Sequence, residues 1–99
     1  MTIEKKHRVP LMSRRFKCRH KTNFFDVFEN VYGDNYLKVT QSIREKFYTR
    51  TTKFFRETIH INEEALQEFL IHIKDSAHMI VERSKTKPTI NFERIDKDE

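Results

Sequence analysis

At Asn62 the hydrophobic pattern of this chain changes period, and that change constrains the fold more than any other feature. Upstream, apolar residues alternate with polar ones, the two-residue period of a strand with one face buried. Downstream, Ala65, Leu66, Phe69, Leu70, Ile73, Ala77, Ile80 and Val81 recur at spacings of one, three and four. That spacing puts them on one stripe of an amphipathic helix. Asn62 suits the N-cap, Glu63 and Glu64 complement the positive end of the helix dipole, and Arg83 suits the other end. Ile61 and Leu66 stand where a hydrophobic staple joins strand to helix, and Pro88 stops the helix.

Four strands are predicted, at Leu11–His20, Asn23–Asn30, Tyr36–Gln41 and Phe54–Ile61. Between the second and third, Asn30-Val31-Tyr32-Gly33-Asp34-Asn35 is the strongest turn signal in the chain, so these strands form a hairpin. From Ser42 to Lys53 the chain is polar and basic without Gly or Pro, and no turn can be placed there. The order ββββα predicts an α+β fold, a four-stranded antiparallel sheet with one C-terminal helix packed on it. One domain is expected at residues 11–84, between a basic arm at 1–10 and a polar, loose tail at 85–99. Ninety-nine residues bury only about 60–65% of their unfolded surface, so a partner subunit would add to a thin core.

The formal charge of +5 conceals an asymmetry. Residues 1–57 carry fourteen Lys and Arg against six acids, a balance of +8, and residues 58–99 carry −3. Basic charge gathered in one part of a chain is the footprint of a polyanion-binding surface. Cys18, the single cysteine, has no internal partner and lies on the apolar parity of its strand, as an inert core thiol would. No apolar run reaches the ~18 residues of a membrane span, and Met1 to Lys6 lead into no signal-peptide core. A cytoplasmic, reducing setting is expected, nucleoid association included.

One helix covers one sheet face. Parity assigns Phe25, Val27, Leu37, Val39, Phe55, Ile59 and Ile61 to the helix side. The opposite parity collects Phe24, Phe28, Tyr36, Lys38, Thr40, Phe54, Arg56, Thr58 and His60, and strand one adds Arg15, Lys17, Arg19 and Lys21. A solvated sheet face is ordinarily polar. Rings mixed with cations suit single-stranded nucleic acid, because bases stack on the rings while Lys and Arg neutralise phosphates. The same rings would equally suit burial against a second subunit.

The stretch Phe24-Phe25-Asp26-Val27-Phe28-Glu29-Asn30, then Gly33 and Tyr36-Leu37-Lys38-Val39, resembles the Pur-alpha (PUR repeat) family. So does Phe55-Arg56-Glu57 leading through Ile59 and Ile61 into an acidic helix start. The likeness spans about residues 12–83 and is strongest to single-repeat bacterial members. It implies a ββββα, Whirly-like repeat, an intertwined homodimer, and non-enzymatic binding of single-stranded DNA or RNA, often purine-rich. By this resemblance Asn30 contacts bases, Lys38 is the basic residue of the third strand, and Lys21 the basic residue before the second. Phe28 stands where many members carry Lys, Asp34 replaces a base, and the hairpin is one residue longer.

The expected binding residues are therefore Arg15, Lys17, Arg19, Lys21, Phe24, Phe28, Asn30, Tyr36, Lys38 and Arg56. The partners expected are single-stranded DNA or RNA and a second copy of the chain, with neither membrane nor small-molecule substrate. The role is that of a regulator of transcription or of transcripts, with duplex DNA a further ligand. No cofactor and no catalytic residue is expected: the chain has no Gly-rich phosphate loop, paired-carboxylate motif or nucleophile elbow, and its five His lack metal spacing. Two other classes stay open. A dimeric protein-interaction module would use the same rings, and a metal-independent endoribonuclease would use His60, Arg56 and Tyr36 on one face.

Overall fold

The computed structural model describes residues 9–46, 52–84 and 90–96. The elements run β1 (Met12–Cys18), β2 (Lys21–Glu29), β3 (Asn35–Lys46), β4 (Thr52–Asn62), α1 (Glu63–Arg83) and α2 (Phe92–Asp96). The strands form one antiparallel sheet in the order β1-β2-β3-β4. It is an α+β fold, a four-stranded antiparallel meander followed by a C-terminal helix.

Local chemistry explains the turns. Cys18 pairs with Lys21, leaving Arg19 and His20 as a two-residue loop. Arg19 takes φ +60° there, the left-handed region where a Cβ crowds the following carbonyl. The second hairpin closes at Glu29 opposite Asn35. Gly33 N–H donates to the Asn30 carbonyl at 3.1 Å, closing a turn with Asn at its first position and Gly at its fourth. Gly33 has φ +90°, and a Cβ built on it would meet only Glu29 Oε2 at 3.8 Å, so backbone conformation and not space calls for glycine. Ser42 to Lys46, which lacked any turn signal, extend β3; the turn into β4 lies outside the described residues, as does most of the basic arm.

Arg19→Gly is expected to relieve its loop. Left-handed backbone costs an L-residue about 1–2 kcal/mol, and glycine's extra unfolded-state freedom returns part of that. A net gain of up to about 1 kcal/mol should raise the melting temperature by several degrees in a domain of this size. Differential scanning calorimetry reads it; an unchanged or lowered transition would mean the loop holds no such strain.

Two compact units divide the chain, residues 1–66 and residues 67–99. In the first, Glu63 Oε1 accepts from Asn35 N–H at 2.9 Å and ties the helix start to the head of β3. Ile61 and Thr40 are the buried side chains among the described residues. Phe25, Val27, Leu37 and Val39 are half-buried, while Phe55 and Ile59 are 46% and 51% exposed. In the second unit, α1 buries none of its residues, and Leu70, Ile73 and Ile80 are about 60% exposed.

Two expectations change. Cys18 is exposed, at the end of an edge strand. The tail predicted to be loose contains α2, capped by Asn91 Oδ1 accepting from Arg94 N–H at 3.1 Å. The Phe92 ring stacks on His78 of α1, centroids 4.0 Å apart and planes 7° from parallel, which repays ordering this short helix. No helix among the described residues is long and apolar enough to cross a membrane.

Candidate nucleic-acid interface

Cross-strand register decides which predicted residues share a surface. Directly opposed residues in an antiparallel pair project to one face. Arg15 opposes Phe24, Lys17 opposes Thr22, Phe28 opposes Tyr36, and Asp26 opposes Lys38. Lys38 in turn opposes His60, Ser42 opposes Arg56, and Arg44 opposes Phe54. Arg15, Lys17, Phe24, Phe28, Tyr36, Lys38 and Arg56 therefore come from all four strands to the same face.

At the hairpin end this face carries a row of rings. Phe28 and Tyr36 stack with centroids 5.7 Å apart and planes 26° from parallel. Tyr36 meets His60 at 5.3 Å with a 47° tilt. Lys38 Nζ lies over Phe28, 5.9 Å from its centroid, within cation–π range. Phe28, Tyr36 and Lys38 are half-buried. Toward the other end, Phe54 is 64% exposed beside Arg44 and Arg56. Arg15, Phe16, Lys17 and Thr22 line a shallow depression of about 410 Å³ on the β1–β2 side. Thr40 is buried between these regions and accepts from Thr58 Oγ1 at 3.4 Å.

Such a surface offers flat π faces within one ring's reach of cations. Stacked bases and their phosphates need that combination, and neither a catalytic base nor a nucleophile is required. Asn30, Asp34, Asn35, Asn62, Glu63 and Glu64 line a hollow of about 360 Å³ next to Tyr36, at the hairpin end of the sheet. Among the described residues no group of three or more His, Cys, Asp or Glu is placed to hold a metal ion.

Three predicted residues stand off the ring face. Arg19 is on the β1–β2 loop. Lys21 falls on the opposite parity, opposed by Cys18 and Ile43. Asn30 is in the hairpin loop, where its Oδ1 accepts from Tyr32 N–H at 2.9 Å and Asp34 N–H at 3.0 Å. Its oxygen thus shapes the turn, and only its NH₂ end is left to meet a base. Sequence reasoning passed over Asp26, Ser13 and Arg44, which share the ring face. Counting every second residue from Phe24 reaches Asp26, but a carboxylate is unexpected on a polyanion-binding surface.

Comparison with models of known protein families and with curated proteins finds no match to this chain.

Proposed function

We propose that this protein binds single-stranded DNA or RNA on the ring-bearing sheet face, as a non-enzymatic regulator of transcription or of transcripts. The observation that carries the reading is the row Phe28–Tyr36–His60 with Lys38 over Phe28, on a face that also holds Arg15, Lys17 and Arg56. The resemblance to the Pur-alpha family points the same way. Each stacked base contributes roughly 1–3 kcal/mol, and each neutralised phosphate adds affinity that salt removes.

Titration of labelled single strands tests this, with a duplex of the same sequence as control. Single strands should bind intact and more tightly than duplex. If several phosphates are neutralised, log affinity should fall with log salt at a slope near −0.7 per contact. A slope near zero would turn the assignment toward a protein ligand, and cleavage of the RNA toward the endoribonuclease reading.

The working unit is a homodimer. One copy leaves Leu70, Ile73 and Ile80 of α1 exposed together with Phe55 and Ile59 of the sheet. An apolar helix stripe and an apolar sheet parity this exposed are each ordinarily covered. A second copy supplies both a stripe and a sheet face, and each can cover the other in a closed two-fold pair. Light scattering should return about twice the 12.1 kDa chain mass.

A further inference from the structure

We infer that Asp26 is a specificity-determining residue of the ring face, selecting guanine through its paired N–H donors. This rests on the nucleic-acid reading proposed above. Asp26 lies on β2 between Phe24 and Phe28, two residues from each, which puts it about 7 Å along the strand from either ring on the same face. Ser13 Oγ donates to Asp26 Oδ1 from the neighbouring strand and orients the carboxylate. Register sets Lys38 opposite Asp26, yet the Lys38 ammonium lies over Phe28, and among the described residues Asp26 has no ion-pair partner.

A carboxylate without a cation repels phosphate, so its place at the centre of this face calls for a different ligand group. Two carboxylate oxygens accept up to four hydrogen bonds, and Ser13 uses one. The donors they match are on base edges. Guanine presents N1–H and N2–H side by side, a bidentate fit to a carboxylate. Adenine and cytosine offer only an exocyclic amine, and uracil sets two carbonyl oxygens around its one N–H. A base stacked on Phe24 or Phe28 carries its edge toward Asp26. Stacking holds any base; Asp26 ranks them.

The experiment compares uridine 12-mers carrying one central guanine, inosine, adenine or no replacement, each titrated against wild type, Asp26→Asn and Ser13→Ala. Inosine keeps N1–H and lacks the 2-amino group. Wild type should prefer the guanine oligomer over all-uridine by about tenfold, the scale of one bidentate base contact, with inosine between. Asp26→Asn should bring the guanine-to-uridine ratio close to one while tightening all-uridine binding, since a repelling charge is gone. Ser13→Ala should lower the ratio and leave all-uridine binding unchanged. If Asp26→Asn tightens all four oligomers by one common factor, Asp26 only repels and the inference is overturned. If wild type binds none of them, the nucleic-acid reading itself fails. Unchanged circular dichroism of both variants separates these outcomes from misfolding.

Discussion

Replacing Ile73 by Asp is expected to take the proposed dimer apart. Ile73 lies mid-helix on the α1 stripe and is 59% exposed in a single copy. If a second copy covers that stripe, the new carboxylate must leave water for an apolar seam with no partner charge. The penalty for such an ion is several kcal/mol even after relaxation. At about 1.4 kcal/mol per decade, the dimer dissociation constant should rise at least a hundredfold. Sedimentation at micromolar concentration should then give the 12.1 kDa chain in place of its double. Folding of a small chain and its association are coupled through mass action, so thermal stability should also fall and lose the concentration dependence expected of the wild-type dimer. A variant that keeps both its dimer mass and its melting temperature would remove α1 from the interface. Glu68→Gln is the matched control: its carboxylate pairs with His72 at 3.3 Å on a well-solvated part of the helix, where such pairs contribute little.

The second large effect is at the ring row. Phe28→Ala should weaken single-strand binding by about 1–3 kcal/mol, roughly fivefold to 150-fold, because it removes one stacking platform. It also removes the surface over which the Lys38 ammonium lies, so the salt slope should shallow slightly. Stability should fall as well. An exposed ring would leave it nearly unchanged, but Phe28 is half-buried and stacked on Tyr36, and aromatic pairs contribute about 0.5–1.5 kcal/mol beyond their buried area. Phe28→Leu separates the two effects: it keeps most of the apolar volume and lacks the flat face. Binding lost in both variants, with stability largely restored in the leucine variant, supports a stacking platform. Binding retained in both, with the dimer disrupted, would make Phe28 part of a subunit interface.

Much of the site follows from counting residues. Alternation along Phe24 to Phe28 and Tyr36 to Thr40, together with the turn at Gly33, placed rings and cations from different strands on one face, and the register has that arrangement. Phe54, Arg56, Thr58 and His60 follow by the same rule. The count fails where the backbone leaves the strand. Arg19 and Asn30 kept their parity in sequence but lie in loops, one with left-handed backbone and the other with its side-chain oxygen bonded to the turn. Lys21 failed differently: the two-residue loop restarted the alternation and put it opposite Cys18, on the other face.

Four strands, a helix beginning at Glu63 and the composition of each sheet face were legible in the residue order, because local backbone period and turn chemistry within a few residues set them. Coverage was not legible there. The folded chain leaves α1 without a buried residue, exposes Cys18, orders α2 through Phe92 on His78, and sets the Lys38 ammonium over Phe28. Hydrophobic periodicity states which residues would gain from burial. Whether they are buried depends on surface brought from distant positions, or from another copy, and no local pattern encodes that distance.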